Sequence, residues 1–165
     1  HRPGHFRGVL TVVVKLLHAV GPDVAVFGRK DFQQAVLIRR MVEELNLPVR
    51  IETAPVVREP DGLALSSRNQ YLSERGREAA ASLSAALRRV RELYDDGVRE
   101  PGALRAAALQ VLREAGAEPE YVEIVDPDGL EPVDEARGDA VCALAAYVEE
   151  TRLIDNAPLA GPTSP

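Results

Sequence analysis

The first 57 residues alternate between helical and strand-like hydrophobic patterns. Positions 8–21 are nearly all apolar, and Thr11, Lys15 and His18 form one narrow polar stripe. This pattern predicts a largely buried helix, although the β-branched residues leave a strand as an alternative. The short apolar run that follows and ends at Gly28 is typical of a buried parallel strand.

A second helix and a second strand complete this part of the chain. Between Asp31 and Asn46, apolar side chains recur on one helical face and charged side chains on the other, and Pro48 ends the pattern. Residues 49–57 are strand-like, although Pro55 limits them. Helix, strand, helix, strand is half of a doubly wound parallel sheet. Because such a sheet needs several strands, we expect an N-terminal part of this domain to be missing.

Beyond Asn69 the composition changes and predicts a different domain. An alanine-rich pattern that Ser73 can cap and Gly97 can close predicts one long helix, and a second helix is predicted from Pro101 to Gly116. Strand-like segments follow at 121–125, 140–148 and 151–155. We therefore expect an α/β chain with part of a Rossmann-like domain at residues 1–69, a small α+β domain with an antiparallel sheet at 70–156, and a disordered tail at 157–165.

Composition and charge exclude several classes of protein. The 165 residues include 20 Lys and Arg against 26 Asp and Glu, and the net charge of -6 argues against nucleic-acid binding. No apolar run approaches the roughly 20 residues that span a bilayer, so we expect a soluble, cytoplasmic protein without a membrane partner. The single cysteine, Cys142, lies in an apolar run and is expected to be a buried structural residue.

The segment FGRKDFQQ, at residues 27–34, has the features of a nucleotide site. Gly28 at the carboxyl end of a strand lets a ligand approach the backbone, and the helix N-terminus that follows favours anions. Lys30 can place positive charge against phosphates, whereas Asp31 can either cap the helix or accept hydrogen bonds from ribose hydroxyls. Gln33 and Gln34 can offer donors and acceptors to a hydroxy acid. The alternative is an ordinary strand-to-helix turn with surface glutamines.

The segment DGLALSSRN, at residues 61–69, places two hydroxyls, a guanidinium and an amide in consecutive positions, at Ser66, Ser67, Arg68 and Asn69. Such a loop can grip phosphates, and Arg68 offers a fork of donors that would stabilise charge on a pyrophosphate leaving group. Gly62 is expected to let the loop move. The alternative is a polar interdomain linker that caps a helix.

The segment RPGHFRG combines Arg2, His5 and Arg7 around two glycines, which suits an anionic ligand. Taken alone, His5 fits a structural role better, and the place of His18 on a polar stripe favours a surface or packing role. The three histidines lack zinc spacing, so no metal-ligating residue is predicted. The sequence contains no GxSxG, Walker A or GxGxxG motif, which argues against hydrolases and P-loop enzymes.

Taken together, RPGHFRGV, FGRKDFQQ and LALSSRN, in this order and spacing, resemble the pantoate–beta-alanine ligase family, also called pantothenate synthetases. The resemblance is close over residues 2 to about 72 and continues more loosely to TRLIDN at 151–156. It implies a fold of the nucleotidyltransferase superfamily, in which the LSSRN loop is the counterpart of the KMSKS loop of class I aminoacyl-tRNA synthetases.

The resemblance also implies ligand contacts for the first half of the chain. Lys30 would lie near the ATP phosphates, Asp31 near the ribose, and Gln34 would hold pantoate, with further substrate contacts from Arg2 and His5. The full set of implied ATP contacts in this segment is Gly28, Arg29, Lys30 and Asp31. The family usually has Glu where this chain has Arg29, a change that adds positive charge near the phosphates.

Further along the chain, Val57 would approach the adenine through its backbone. A four-residue loop would close over the triphosphate, and it consists of Leu65, Ser66, Ser67 and Arg68. The residues expected to take part in catalysis are Lys30, Ser66, Ser67 and Arg68.

The implied reaction is the ATP-dependent condensation of pantoate with beta-alanine to pantothenate through a pantoyl adenylate, with release of AMP and pyrophosphate. Mg²⁺ would be held mainly by phosphates and water, and the full-length protein would be a homodimer. The family's HxGH motif would lie upstream of this sequence, so we expect the chain to be inactive alone. Two alternatives stay open: another adenylyltransferase of the superfamily with a different acceptor pocket, and a non-catalytic nucleotide-binding module.

Overall fold

The structure, a computed structural model, describes residues 4–161, and the chain divides into two compact units, His1–Pro55 and Val56–Pro165. The boundary differs from the one expected after residue 69. Segment 56–69 makes its hydrogen bonds with residues of the second unit, among them Asp155 of the last strand. The apolar sequence that predicted a strand up to residue 57 therefore crosses from one unit to the next.

The first unit is built from two helix–strand pairs, as the hydrophobic pattern predicted. Helices α1 and α2 span His5–Val20 and Phe32–Glu44, and strands β1 and β2 span Val24–Gly28 and Arg50–Ala54. The strands are parallel and in register from Val24 opposite Arg50 to Gly28 opposite Ala54. β2 ends directly before Pro55, which has no backbone N–H to continue a ladder.

Helix α1 is less buried than predicted. Leu17 is its one buried residue among those described, whereas Val12, Leu16 and Val20 are 57%, 57% and 72% exposed. A helix that is apolar all round is buried only where neighbours cover it. In the described part of the chain, neighbours cover one face, where Leu17 packs in a cluster with three residues of α2, namely Ile38, Met41 and Val42.

The second unit contains three helices and three strands. Helices α3, α4 and α5 span Glu74–Ala80, Ser82–Asp95 and Pro101–Glu114, and strands β3, β4 and β5 span Glu118–Val125, Val141–Val148 and Thr151–Pro158. The strands form one antiparallel sheet with β4 in the centre. With the parallel pair of the first unit, this sheet confirms the α/β fold class.

The prediction of one long helix after Ser73 is wrong, because α3 and α4 are separated at Ala81. The hydroxyl of Ser84 donates to the Ala81 carbonyl oxygen at 3.1 Å. A serine side chain bonded to the preceding turn in this way often bends a helix. The predicted cap is confirmed, since the Ser73 hydroxyl accepts a hydrogen bond from the Gly76 N–H at 3.0 Å.

The predicted disordered tail is wrong for its first residues. β5 continues to Pro158, and Leu159 is 1% exposed in the main apolar core. The backbone N–H of Leu159 donates to the Ala140 carbonyl at 2.9 Å. A proline is compatible with an edge strand, so Pro158 does not prevent β5 from continuing. The burial of Leu159 then shows that the chain is ordered at this point. Residues 162–165 lie outside the described part of the chain.

The core of the second unit lies between α4, α5 and one face of the sheet, and its fully buried members include Leu83, Val90, Leu104, Leu112, Leu144 and Val148. Cys142 belongs to the same layer and is 1% exposed. Burial raises the pKa of its thiol to about 12, so it stays protonated and packs as a small apolar residue. No helix among residues 4–161 is long and apolar enough to span a membrane.

Two leucines of α5 provide a matched test of this core. Leu104 is fully buried, whereas Leu109 on the same helix is partly buried. We expect Leu104→Ala to lower the free energy of unfolding of the second unit by about 2–5 kcal/mol because it leaves a cavity. Leu109→Ala should cost about 1 kcal/mol. Urea denaturation of both variants measures the difference, and equal losses would contradict the assignment of Leu104 to the core.

Candidate functional site

The first part of the predicted site follows the carboxyl end of β1. Gly28 is exposed and has φ −71° and ψ 131°, an extended conformation open to any residue. A Cβ atom built at Gly28 would meet no atom within 4 Å. Within residues 4–161, neither the backbone nor the packing around a Cβ atom requires glycine here.

A short 3-10 helix, Arg29–Asp31, connects β1 to α2. Arg29 and Lys30 are half-buried, and Asp31 is exposed. Asp31 occupies the N-cap position of α2, but its side chain makes no capping hydrogen bond. The sequence left two roles open for Asp31, a helix cap and a ribose contact, and the structure does not show the cap. The N–H groups of the first turn of α2 lack a side-chain acceptor from this residue and retain their preference for an anion.

The two glutamines differ in burial. Gln34 is half-buried in the first turn of α2, next to the buried Ala35, and Gln33 is exposed. Between these two, Gln34 has the more restricted side chain and is placed one helical turn after Lys30. A cation, a carboxylate and a carboxamide therefore follow one another closely in the chain where β1 connects to α2.

His5 and His18 lie at the surface of α1. His5 is exposed in the first turn, and its ring contacts that of Phe6 edge-on with centroids 5.2 Å apart. His18 is exposed, which confirms the surface position predicted from its polar stripe, and its Nδ1 lies 2.8 Å from the Val14 carbonyl oxygen. Arg2 lies outside the described residues.

The second part of the predicted site is a loop whose stem is a tight turn. The N–H of Leu65 donates to the Val57 carbonyl at 2.8 Å, and the N–H of Glu59 donates to the Leu63 carbonyl at 2.8 Å. Gly62, expected to make the loop mobile, has φ +87°, and a Cβ there would lie 2.9 Å from Ser84 Oγ. Gly62 is therefore needed for a fixed turn and a close approach to α4, which corrects the prediction.

The serines and the arginine at the tip of the loop are accessible. Ser66 is half-buried, and its hydroxyl accepts from the Arg68 N–H at 3.2 Å, capping a short 3-10 helix, Ser67–Tyr71. Ser67 and Arg68 are exposed, as is Leu65 at 56%. Within residues 4–161 the Arg68 guanidinium has no ion-pair or hydrogen-bond partner. The Ser66 cap agrees with the alternative interpretation of this segment as a polar linker that caps a helix. The exposed Arg68 guanidinium can still bind an anion.

Asn69 does not join the polar groups at the tip. It is 6% exposed, and its Nδ2 donates to Glu59 Oε1 at 2.6 Å and to the Ala64 carbonyl at 3.1 Å. The sequence prediction that its amide would help to grip phosphates is therefore wrong. An amide between two exposed polar residues looks like a ligand contact in sequence, but here its bonds tie the end of the loop to its stem.

The carboxylates of the stem share one arginine of α3. Arg77 Nη2 binds Glu59 Oε2, and Arg77 Nε lies 2.8 Å from Asp61 Oδ2. The hydrogen bond from Arg77, followed by that from Asn69, lowers the pKa of Glu59 below its ordinary value of 4.5. Asn69 and Arg77 both donate hydrogen bonds to the ionised form of Glu59. The side chain of Glu59 is therefore a carboxylate when it binds them.

An ion pair that sequence reasoning missed connects this stem to β5. Arg58 Nη1 lies 2.6 Å from Asp155 Oδ2, and Arg58 Nη2 lies 3.1 Å from Asp155 Oδ1. The Asp155 side chain is 1% exposed. Asp155 lies at alternate positions along β5 with Leu153 and Ala157, which pack in the core, and a carboxylate in such a series signals a buried partner, since a charge is almost never buried unpaired. The two residues of the ion pair are 97 positions apart in the sequence, which hid the identity of the partner.

Comparison with known proteins decides the family. A family described as pantoate-beta-alanine ligase matches residues 1–158. The chain belongs to this family. Among its relatives, the pantothenate synthetase of Thermobifida fusca is 54% identical over 164 residues, covering 96% of this chain and 54% of the relative. That of a Sulfurihydrogenibium species is 50% identical over 157 residues, covering 94% and 56%.

Solved structures of the ligase family have the same fold. The pantothenate synthetase of Thermus thermophilus superposes with a TM-score of 0.91 at 43% identity and covers 96% of this chain and 57% of its own. The Francisella tularensis ligase, solved in complex with beta-gamma ATP and beta-alanine, has a TM-score of 0.71 at 32% identity, covering 98% and 54%. The chain thus spans about half the length of the ligases it matches.

Two glycines with positive φ test the turn at the base of the loop. Gly97 has φ +95° with no atom within 4 Å of a built Cβ, whereas Gly62 has φ +87° and the close contact with Ser84. We expect Gly97→Ala to lower the free energy of unfolding by about 1–2 kcal/mol through backbone strain. Gly62→Ala should cost about 1–3 kcal/mol more because buried Ser84 must move. Urea denaturation measures both, and equal costs would refute the close approach.

The lowered pKa of Glu59 gives an acid dependence. A carboxyl group whose folded pKa is lowered contributes stability that is complete above its ordinary value of 4.5 and is lost as pH falls through the folded value. Glu59→Gln should therefore reduce the loss of stability on acidification below pH 4.5, because the carboxylate that binds Arg77 is no longer there to be protonated. Unfolding measured across pH checks this. Glu78→Gln, at an exposed position of α3, is the matched control and should leave the profile close to that of the parent.

Proposed function

We propose that this chain is the ATP- and pantoate-binding part of a pantoate–beta-alanine ligase, and that the whole protein condenses pantoate with beta-alanine at the expense of ATP. The observation that carries the proposal is the family match, which runs through residues 1–158 and includes both parts of the candidate site. The complex of the Francisella tularensis relative with beta-gamma ATP and beta-alanine supports ATP as a ligand.

In this proposal the first unit supplies contacts to the nucleotide and to pantoate. The backbone at Gly28 faces open space, which suits a ligand that approaches closely. Asp31, whose carboxylate does not cap α2, accepts hydrogen bonds from the ribose hydroxyls. Lys30, with Arg29 beside it, provides positive charge for the phosphates, and half-buried Gln34 binds pantoate through its carboxamide. His5 and Arg2 are proposed as further substrate contacts.

The second unit supplies contacts to the phosphates and the base. Exposed Arg68 and Ser67, with half-buried Ser66, bind phosphate oxygens, and Leu65 forms part of the same loop. An unpaired guanidinium is suited to a pyrophosphate because its donors match two oxygens at once. The backbone of Val57 is proposed to approach the adenine, and its carbonyl already accepts the Leu65 N–H.

The proposed chemistry has two steps and needs no covalent bond to the protein. A carboxylate oxygen of pantoate attacks the α-phosphorus of ATP, forming the pantoyl adenylate as the bond to the β-phosphate breaks and pyrophosphate leaves. The amine nitrogen of beta-alanine then attacks the acyl carbon, loses a proton, and AMP leaves. Lys30, Ser66, Ser67 and Arg68 stabilise the charge that builds on the phosphates, which is catalysis by positioning and electrostatics.

Mg²⁺ enters the proposal as an ion carried by ATP. Among residues 4–161 no group of three or more His, Cys, Asp and Glu side chains could hold a metal ion. The exposed cationic group of the loop is the Arg68 guanidinium, which is suited to phosphate oxygens and cannot ligate a metal ion. Such a loop fits Mg²⁺ coordinated mainly by phosphates and water, as is usual for this ion.

The test is AMP formation that requires both pantoate and beta-alanine. The 165-residue chain should be assayed alone and fused to the portion of the Thermobifida fusca relative that it does not cover. We expect activity in the fusion and none in the chain alone. A folded fusion that forms no AMP with these substrates would overturn the proposal. Nucleotide binding without turnover would favour a non-catalytic module, and turnover with another acceptor would favour a different adenylyltransferase.

Arg68 gives a prediction with an internal control. In the fusion, Arg68→Ala should lower kcat/KM by about 10²–10³, the usual cost of losing one donor to a developing negative charge. Arg68→Lys should retain part of the activity because it keeps the charge and loses the fork. Arg75→Ala removes the same charge from an exposed position of α3 and should leave kcat/KM close to that of the parent. Equal losses for Arg68→Ala and Arg75→Ala would show that net charge alone matters.

A further inference from the structure

One arginine, Arg58, connects segment 56–69, which contains the proposed phosphate-binding residues, to strand β5 of the sheet. The Arg58 guanidinium binds both oxygens of Asp155 on β5, and its Nη1 also donates to the Gly62 carbonyl at 3.0 Å. One side chain therefore fixes the position of the turn relative to β5. Ser66 follows Gly62 closely in the chain, so the fixed turn lies directly before the tip of the loop.

Asp155 is itself held in a single orientation. Its Oδ1 accepts the backbone N–H of Asn156 at 2.8 Å, and its side chain is 1% exposed beside an Arg58 side chain that is 18% exposed. β5 pairs with central β4 along its whole length, with Asp155 opposite Leu144. The carboxylate is thus part of a rigid element, whereas the loop it holds is irregular.

The far end of the loop has a second attachment. The buried amide of Asn69 binds Glu59 and the Ala64 carbonyl, and Arg77 of α3 binds Glu59 and Asp61. Residues 65–68 lie between the two attachments. Leu65, Ser67 and Arg68 are exposed and Ser66 is half-buried, so the two attachments act on this segment mainly through its backbone.

We propose that Asp155 and Arg58 are positioning residues: their ion pair holds Ser66, Ser67 and Arg68 where they bind the phosphates, without touching the ligand. This inference rests on the proposed function of the loop. A hydrogen-bond donor displaced by about 1 Å can lose a hundredfold in effect, so a loop that samples several positions binds and stabilises a pyrophosphate poorly.

A purely structural ion pair would behave differently. Replacing a buried ion pair with apolar residues of similar volume often leaves stability unchanged or raises it, whereas removing one partner leaves a buried charge unpaired. Asp155→Asn should therefore destabilise the second unit, and the double variant Arg58→Met/Asp155→Val should regain most of that stability. If the pair serves only stability, the double variant will also regain the properties of the loop.

The experiment measures the loop directly in the 165-residue chain. Trypsin cleaves after arginine, and the ratio of cleavage after exposed Arg68 to cleavage after Arg113 of α5 reports local order apart from global unfolding. Binding of inorganic pyrophosphate is measured by calorimetry on the same samples. The control is Arg105→Met/Glu123→Leu, which removes another ion pair of this unit, 3.1 Å long, between α5 and β3.

We expect the Arg58/Asp155 double variant to show a cleavage ratio raised about tenfold or more, and pyrophosphate affinity lowered about tenfold or more, at near-parental stability. The control pair should leave both unchanged. An unchanged cleavage ratio in a stable double variant would overturn the proposal, whatever happens to binding. A raised ratio in a chain whose parent binds no pyrophosphate would support the role of the pair in loop order and count against the proposed function.

Discussion

The apolar layer between α4, α5 and the β3–β4–β5 sheet is the constraint on which the second unit depends. Its core side chains are buried, and β4 is the central strand of the sheet that forms one side of the layer. The layer fixes the inner face of β5, and that face presents Asp155 to Arg58. A charge can be buried at this point because a fork of donors satisfies both of its oxygens. The position of the irregular segment 56–69 thus follows from the packing of regular elements.

This arrangement changes how segment 56–69 is understood. A serine-rich segment with a glycine suggests a mobile flap, but its stem is closed by backbone hydrogen bonds, an ion pair and a buried amide. What remains accessible is a short tip with hydroxyls and a guanidinium. Groups held in place before the ligand arrives need little reorganisation when charge develops, which is the condition for effective electrostatic stabilisation. Order in the stem and exposure at the tip are therefore complementary properties.

Sequence reasoning succeeded where the signal is periodic or local. Apolar spacing predicted α2 and β1, and the Ser73 cap was readable from residue type and position. It failed where the outcome depends on what lies opposite a residue. Exposure of Leu16 follows from the neighbours of α1, and Leu159 is ordered because it enters a core formed from distant segments. For the candidate site, residue types were enough to single out Ser66, Ser67 and Arg68 as candidates. The burial of the Asn69 amide and the identity of the partner of Asp155 could be known only from the fold.

Two glycines show how structural and functional explanations can be separated. Gly62 has a positive φ, and its close approach to Ser84 leaves no room for a side chain, so the protein itself accounts for this residue. Gly28 has an ordinary extended backbone and open space around it, so nothing within the described chain accounts for it. It lies at the carboxyl end of a parallel strand and before a helix N-terminus, where anionic ligands bind in open α/β sheets. Under the proposed function, the nucleotide would account for this glycine, which the described part of the fold does not require.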